Sequence, residues 1–387
     1  MTLFQEKERT FNGPKSYIEG DFEYLDRSAR KEAEKVRGFL NYWISQFPDD
    51  EANEIVTRIK SGDKKNFDSA IFEIILFSIM TQLKCTLLIH PDLPNGSTKH
   101  PDFLVTTPEG DEFYLEAVLA SEFSADEIAA ESRKNTVLNT IEGLESPNFS
   151  LGINANGNPD TPPSGRRLRN DLSRWLESLD PDVVAIAIDE NGIDAIPTKN
   201  WNHENWEIQF EAFPKNPERR EEGQRIIGTI CNGVRWSNTW EPIKNAIRSK
   251  GNHYGEIDKP LVVAVNVNAS SLDRIDEMQA LFGQEEFTFN RNSENAQPEM
   301  SRIPNGAWHG RNGPQYTRVS GAWLFGNLNP WNIITRKNTL YFNPWSSKEL
   351  PMLLKELNHA SSVENKMTWN DGSPLNEILE LSKTWPE

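Results

Sequence analysis

Three acidic side chains have the types and the order that a metal-binding centre needs. Glu73 lies within residues 67–83, a segment that is almost entirely apolar. Asp102 follows Pro101 at the start of a strand-like run, and Glu116 stands between apolar neighbours in the next such run. Carboxylates in poor solvent repel one another and hold protons more tightly unless a cation neutralises them. Because oxygen ligands favour Mg²⁺ or Mn²⁺, the pattern predicts a site for one of these ions at Asp102 and Glu116.

Glu73 poses a separate electrostatic problem, because its own helix offers it almost no polar surroundings. An unpaired charge in such a place costs on the order of several kcal/mol, so Glu73 is expected to have a partner. A shared metal ion, or water bound to it, is one such partner, and a structural arginine or lysine is the alternative. Glu116 has an alternative as well, in which it simply faces solvent.

The elements that must position these residues follow from hydrophobic periodicity. Apolar residues at helical spacing predict helices at 26–47, 49–61, 67–83, 125–144, 166–179 and 238–250. Strand-like runs occur at 85–90, 102–107, 113–119, 149–153, 183–188, 206–213, 261–267, 317–325 and 339–342. The turn signal at 108–111 predicts a hairpin, which would bring Asp102 and Glu116 side by side. The polar segment 284–306 is expected to be a long mobile loop.

Glu73, Pro101-Asp102 and Glu116-Ala117-Val118 resemble the PD-(D/E)XK nuclease superfamily in type, order and location. The resemblance covers about 67–120 directly, and it extends to 270 if 238–267 supplies the later helix and strand of that core. It implies metal-dependent hydrolysis of phosphodiesters in DNA or RNA, in a setting such as bacterial defence. It also implies that Asp102, Glu116 and the Ala117 carbonyl hold Mg²⁺ or Mn²⁺, and that Glu73 positions a bound water or a second ion. The chain is also similar to uncharacterised bacterial proteins with Pro-Asp-Phe followed by Glu-Ala.

The sequence departs from this superfamily at Val118, which stands where a lysine is expected two residues after Glu116. Members of the superfamily can supply that lysine from elsewhere in the fold, often from the following helix. Three lysines are candidates here: Lys134, Lys244 and Lys250. Each of them has an ordinary surface position as its alternative. Without such a lysine, the domain would bind nucleic acid or a protein partner without cutting.

Composition limits the compartment and the kinds of partner. The 387 residues carry a formal net charge of −17, which repels polyanions at long range. Nucleic acid would therefore have to bind at a local site, because proteins that grip it by counterion release are usually basic. No apolar run is long enough to span a membrane, and the first residues do not resemble a secretory signal. Cys85 and Cys231 read as buried thiols, so a cytoplasmic protein is expected.

Other signals have ordinary structural explanations. The six histidines lack the spacing of a zinc site, and the motifs of acyl hydrolases, NTPases and nicotinamide enzymes are missing. The basic cluster of Arg166, Arg167, Arg169 and Arg174 could grip phosphates or simply form a solvated helix start. Ten of the twelve tryptophans lie at or beyond Trp201, and they are expected mainly to pack the core and its loops. A glycoside hydrolase with paired carboxylates is a rival interpretation.

The sequence as a whole predicts an α/β (α+β) protein with a restriction-endonuclease-like core. In this prediction a mixed central sheet is flanked by helices. Residues 1–66 form an N-terminal helical region, 67–283 form the nuclease-like core with insertions, and 284–387 form a tryptophan-rich elaboration. The oligomeric state is not predicted.

Overall fold

A computed structural model describes residues 1–220, 225–232, 238–288, 299–363 and 366–387. The chain divides into two compact units. The first unit contains Met1–Gly13, Gly20–Glu122 and Ser237–Glu387, and the second contains Pro14–Glu19 and Phe123–Trp236. The first unit is therefore assembled from chain on both sides of the second. These bounds differ from the three consecutive regions that the sequence suggested.

Helices and strands alternate along much of the chain. The helices are α1 Asp21–Arg27, α2 Lys31–Ile44, α3 Asp49–Ile59, α4 Lys64–Gln82, α5 Ala125–Glu142, α6 Gly165–Glu177, α7 Pro181–Asn191, α8 Trp240–His253, α9 Arg274–Phe282 and α10 Leu375–Ile378. The strands are β1 Thr86–Ile89, β2 Phe103–Thr106, β3 Glu112–Ser121, β4 Phe149–Asn156, β5 Thr198–His203, β6 Trp206–Pro214, β7 Ile227–Asn232, β8 Leu261–Asn268, β9 Glu285–Thr288, β10 Glu299–Arg302, β11 His309–Gly310, β12 Gly313–Pro314, β13 Val319–Gly326, β14 Asn338–Phe342, β15 His359–Val363 and β16 Lys366–Asn370. The predicted α/β class is confirmed.

The first unit is organised around a mixed eight-stranded sheet with the order β1-β2-β3-β8-β13-β14-β15-β16. The strands β1, β2 and β3 form an antiparallel meander, as the hairpin signal predicted. The next strand across the sheet, β8, is parallel to both β3 and β13. The last strands of the chain thus complete the same sheet that the meander begins.

The central strand β8 is apolar on both sides because both faces of the sheet are covered. Val262 and Ala264 belong to a core formed mainly with α2, α3 and α4. Leu261, Val263 and Val265 belong to the opposite core, which contains residues of α8 and α9. The alternation follows from the two-residue period of a strand.

Helix α4 is buried around most of its circumference, as its composition predicts. Its first turn is capped by Asp63, whose side chain accepts a hydrogen bond from the backbone N–H of Asn66. The buried residues include Ile71, Ile75 and Ile79, and Glu73 is buried among them. The helix therefore carries one carboxylate into an otherwise apolar layer.

The second unit contains a four-stranded sheet with the order β5-β6-β4-β7. Helix α6 is amphipathic, and its leucines at 168, 172 and 176 are buried in the core of this unit. Arg166 and Arg167, at the start of α6, are exposed. This is the solvated helix start that the sequence left open as an explanation of the basic cluster.

Two predicted segments have a different structure. Residues 183–188 were expected to form a strand, but they belong to helix α7. Asp180 caps that helix by accepting from the backbone N–H groups of Asp182 and Val183, and Pro181 occupies its first position. This capping outweighs the β-branched composition of the run. The predicted helix 26–47 is interrupted at residues 28–30, between α1 and α2. At this interruption Arg37 Nη1 donates to the carbonyls of Leu25 and Ser28.

Three smaller expectations were also wrong. Gly251 lies within α8 rather than beyond its end, where a Cβ atom would come within 2.8 Å of the Tyr316 ring. Cys231 is exposed, although Cys85 is buried as predicted. Parts of the predicted loop 284–306 form the antiparallel pair β9 and β10. Residues 289–298 of that loop lie outside the described residues.

Candidate functional site

Asp102 and Glu116 lie together at the end of the β2–β3 hairpin. The register that pairs Phe103 with Leu115 brings Asp102 opposite Glu116. Asp102 Oδ2 accepts a 2.6 Å hydrogen bond from the backbone N–H of Ala117. The backbone N–H of Asp102 lies 3.3 Å from Glu116 Oε2, to which it donates. The predicted juxtaposition is present, and these two residues are called the carboxylate pair below.

Helix α8 adds a cation and a hydroxyl group to the carboxylate pair. Lys250 donates from Nζ to Glu116 Oε1, and the Tyr254 hydroxyl donates to Glu116 Oε2. The two side chains are four residues apart, so they reach the same point from one side of the helix. Each oxygen of Glu116 thus has a protein partner. The residue is also buried, with only 2% of its surface exposed.

Burial and the neighbouring charged groups change the pKa values of residues at the carboxylate pair. Burial raises the pKa of Asp102 well above its ordinary value, and repulsion from Glu116 and Glu73 raises it further. The hydrogen bond from Ala117 and the charge of Lys250 oppose this rise. Burial and the neighbouring Glu116 also raise the pKa of Tyr254. Tyr254 therefore remains a hydrogen-bond donor at any physiological pH.

Glu73 is neutralised by Arg58 of α3. The guanidinium donates from Nη1 to Glu73 Oε2 at 2.8 Å and from Nη2 to Glu73 Oε1 at 2.5 Å. Ser69 lies 3.2 Å from Glu73 Oε1 and donates to it. Burial lowers the pKa of Arg58, but the contact with Glu73 outweighs burial and leaves that pKa raised. Of the two partners that the sequence allowed for Glu73, the structure contains the arginine.

A second group of side chains lies close to the carboxylate pair, and we call it the histidine cluster. The cluster consists of Glu51, Glu54 and His90. Each residue offers one ligand atom, and the three atoms lie within 4.8 Å of one another. Glu51 and Glu54 are three residues apart on α3, and His90 follows β1. The three residues could hold a metal ion.

A small cavity connects the features described above. Its volume is about 10 Å³, which is close to the space that one water needs. Its polar walls are formed by Glu51, Glu54, Arg58, Glu73, His90 and Asp102. The histidine cluster and one member of the carboxylate pair thus face the same space.

The candidate lysines lie in different places. Lys250 contacts Glu116 directly. Lys244 lies on the same helix, but its Nζ is 3.6 Å from Glu241 and 4.3 Å from the ring centroid of Trp240. Lys134 lies on α5 of the second unit, where burial lowers its pKa. Of the two lysines on α8, Lys250 is therefore the one that places an ammonium group against Glu116.

A local patch of positive charge lies beside the carboxylate pair, and we define it as Lys99 and Lys250, with the ring of His253 in contact with Lys99. Lys99 Nζ is 3.4 Å from His253 Nδ1. Burial lowers the pKa of His253, and the charges of Lys99 and Lys250 lower it further. Lys99 precedes the Pro101-Asp102 dipeptide by two residues. The patch gives a strongly acidic protein a cationic surface at this point.

Sequence reasoning missed several residues at the site. Glu51, Glu54 and Arg58 are spaced at i, i+3 and i+7, which places them on one helical face, but the segment was interpreted only as an amphipathic helix. Tyr254 lies four residues after Lys250, and this spacing was the available signal. His90 was set aside with the other histidines because they lack the spacing of a zinc site.

Comparisons with known proteins do not indicate a function for this chain. No protein-family model, curated protein or solved structure matches the chain. Within the described part of the chain, none of the helices has both the length and the apolar character needed to cross a membrane.

Proposed function

We propose that the first unit is a metal-dependent phosphodiesterase that acts on nucleic acid and holds Mg²⁺ or Mn²⁺ at Asp102 and Glu116. The observation that carries this proposal is the convergence of Asp102, Glu116 and Lys250. These residues come from the two strands of a hairpin and from a helix distant in sequence. The same three residue types occupy the PD-(D/E)XK site. In that site the lysine lies two residues after the second acid, where this chain has Val118, and we assign its role here to Lys250.

The order of elements supports the resemblance. An acid-bearing helix, α4, precedes the β1-β2-β3 meander, and β8 later pairs in parallel with β3. Helix α8 immediately precedes β8 and carries Lys250. This is the order in which the superfamily core supplies its acid, its paired carboxylates and its later helix and strand.

The residues present fit a hard divalent cation. Asp102 Oδ2 is bound by Ala117, whereas Oδ1 accepts no hydrogen bond from the residues that the structure describes. Burial and repulsion from Glu116 raise the pKa of Asp102, so a cation that binds both carboxylates would relieve an existing cost. Oxygen donors of this kind suit Mg²⁺ and Mn²⁺.

Each side chain has a distinct role in the proposed reaction. A divalent cation at this site would lower the pKa of an attacking water and offset charge on the phosphate. Asp102 and Glu116 hold that cation, and the Tyr254 hydroxyl orients Glu116. Lys250 supplies positive charge beside the attacking water. Lys99 attracts the phosphate backbone to a protein whose overall charge would repel it.

A second candidate function is a nuclease-like module that binds nucleic acid or a protein partner without cutting it. The observation that favours it is the complete hydrogen bonding of Glu116. Lys250 occupies one oxygen, while Tyr254 and the backbone of Asp102 share the other. Both oxygens of Glu116 thus have protein partners, and a cation would compete with the ammonium group of Lys250 for Oε1.

Nuclease assays separate the two candidates. Purified protein is incubated with single-stranded DNA, duplex DNA and RNA in Mg²⁺, Mn²⁺ or EDTA. We expect cleavage in either metal and none in EDTA, with Asp102→Asn and Lys250→Met each reducing the rate on the order of 100-fold or more. Lys244→Met is the matched control, because it removes a lysine from the same helix without touching Glu116.

The outcomes decide between the candidates. Retained binding with no metal-dependent cleavage of any of the substrates would select the binding module. Cleavage that Asp102→Asn leaves unchanged would show that the activity does not arise at the carboxylate pair. A similar loss in Lys250→Met and Lys244→Met would remove Lys250 from the proposed mechanism.

A further inference from the structure

We propose that the histidine cluster is a second cation site, separate from the carboxylate pair, and that it takes a transition ion such as Zn²⁺ or Co²⁺. Glu51, Glu54 and His90 supply two carboxylate oxygens and one imidazole nitrogen. This inference concerns metal binding alone and does not depend on the proposed nuclease function.

The backbone directs the three ligands to one point. Glu51 and Glu54 share a face of α3, because residues three apart are neighbours on a helix. His90 has a left-handed backbone conformation with φ of 46°, and its N–H donates to the Asp102 carbonyl at 3.0 Å. His90 Nδ1 lies 3.2 Å from Glu51 Oε2.

The separations suit a first-row ion. Ligands about 2.1 Å from a metal lie at most about 4.2 Å from one another, and the three ligand atoms here lie within 4.8 Å. Rotation of the glutamate side chains closes this difference. Glu54 is free to rotate, because it is exposed and its contact with Arg58 is 3.8 Å long; exposed pairs of this kind contribute little.

The cavity beside the cluster is a second and independent reason to expect a cation. Four carboxylates line it, from Glu51, Glu54, Glu73 and Asp102, against a single guanidinium from Arg58. That guanidinium is bound by Glu73 and lies 3.8 Å from Glu54, so the carboxylates in the cavity wall outnumber the fixed positive charges. The volume of about 10 Å³ admits the water that would complete the coordination of an ion bound by three protein ligands.

The ligand types distinguish this site from the carboxylate pair. Imidazole nitrogen suits Zn²⁺, Co²⁺ and other transition ions, whereas Mg²⁺ prefers oxygen alone. We therefore expect the histidine cluster to prefer Zn²⁺ or Co²⁺ over Mg²⁺.

Metal titration of the full-length protein tests the proposal. Chelator-treated protein is titrated with Zn²⁺ by calorimetry and with Co²⁺ by visible absorption. His90→Asn removes the imidazole while keeping a residue that tolerates the left-handed conformation, and Glu51→Gln removes a carboxylate at constant size. Because even the outer partners of metal ligands affect affinity 10- to 100-fold, we expect each variant to weaken binding at least ~10-fold.

Two controls locate the bound ion. Glu116→Gln alters the carboxylate pair at a residue that does not line the cavity, and it should leave Zn²⁺ affinity at the histidine cluster within about threefold of wild type. His203→Asn removes another histidine that lies near a glutamate, since His203 Nε2 is 3.8 Å from Glu204, and it should have no effect on affinity. Circular dichroism verifies that each variant is folded, and Glu51→Gln keeps the test decisive if His90→Asn does not fold.

Three results would overturn the proposal. One is a wild-type protein that binds neither Zn²⁺ nor Co²⁺ at micromolar concentrations. Another is an affinity that the folded His90→Asn and Glu51→Gln variants leave unchanged. The third is loss of binding in Glu116→Gln to the same extent as in His90→Asn, which would indicate one site at the carboxylate pair.

Discussion

Two buried glutamates of the first unit accept a hydrogen bond from a tyrosine hydroxyl, yet their surroundings differ. Glu116 is 2% exposed and is bound by Tyr254 and by the ammonium group of Lys250. Glu277 of α9 is 7% exposed and accepts a 2.6 Å hydrogen bond from Tyr341. Both tyrosines are thus used in the same way, but Glu116 also has a direct cation.

Within the described residues Glu277 makes no ion pair, and Arg274 acts on it from a distance. The Tyr341 hydroxyl accepts a 3.2 Å hydrogen bond from the indole N–H of Trp369, and Arg274 lies 4.9 Å from the ring centroid of Trp369. Burial raises the pKa of Glu277 to about 7, although Tyr341 and Arg274 lower it in part. A hydroxyl group alone therefore does not compensate for burial at Glu277, whereas Glu116 has an ammonium group in contact as well.

The largest expected effect comes from removing that cation. Lys250→Met leaves Glu116 buried without a charge partner, and we expect the free energy of unfolding at pH 8 to fall by about 3–5 kcal/mol. Urea denaturation of the metal-free protein measures this difference. Lys244→Met is expected to cost only about 1 kcal/mol, because its partner Glu241 is largely exposed. Equal losses in the two variants would contradict the comparison.

The second effect concerns Glu277 and depends on pH. Its pKa is raised on folding, from an ordinary value of 4.5 to about 7. The folded state therefore holds a proton that the unfolded state releases between these values, and the free energy of unfolding decreases as pH rises through this window. Above pH 7 the carboxylate is ionised in both states, and its full cost to stability is present.

Glu277→Gln should remove this cost while keeping an oxygen that accepts from Tyr341. At pH 8 we expect the variant to be more stable than wild type by on the order of 3 kcal/mol, and near pH 4.5 the two should agree. Thermal denaturation across this pH range provides the measurement. Glu286→Gln, at an exposed position, is the control and should show no such dependence. A stability gain that does not change with pH would refute the assignment.

The smallest effect comes from removing each tyrosine hydroxyl. At pH 6, Tyr254→Phe should cost about 1.5–3 kcal/mol, because it removes a hydrogen bond to a charged group. Tyr341→Phe should cost about 0.5–1.5 kcal/mol at the same pH, where Glu277 is largely protonated. Paired urea denaturation curves test the order. If Tyr341→Phe were the more destabilising variant, the proposed difference between the two glutamates would be incorrect.

The carboxylate pair was predictable because its signals are local. Asp102 and Glu116 lie on strands joined by a short turn, and hairpin geometry places such residues side by side. The buried helix α4 was predictable from composition alone. Lys250 was one of three candidate lysines, and the sequence offered no means of choosing it, since its contact with Glu116 spans 134 residues.

Other features depend on distant contacts or on competing local signals. The partner of Glu73 was left open between a metal ion and a basic side chain, and Arg58 could not be identified because α3 and α4 meet through tertiary packing. The histidine cluster joins a helix to the end of a strand. Helix α7 was missed because a cap at Asp180 outweighs a β-branched run. The interruption after α1 involves Arg37 of α2. Its hydrogen bonds to the carbonyls of Leu25 and Ser28 form only when the two helices pack together.

The position of β8 has a consequence for biosynthesis. Strand β3 ends at Ser121, but its parallel neighbour begins at Leu261, so the ribosome must add roughly 140 residues before the two can pair. During that interval the meander has an open edge, and the apolar surface of α4 lacks much of its cover. Sequence-distant pairing of this kind slows folding and exposes surfaces that aggregate. The nascent first unit is therefore expected to benefit from chaperones, while the second unit, which apart from Pro14–Glu19 is one continuous segment, can largely fold as it emerges.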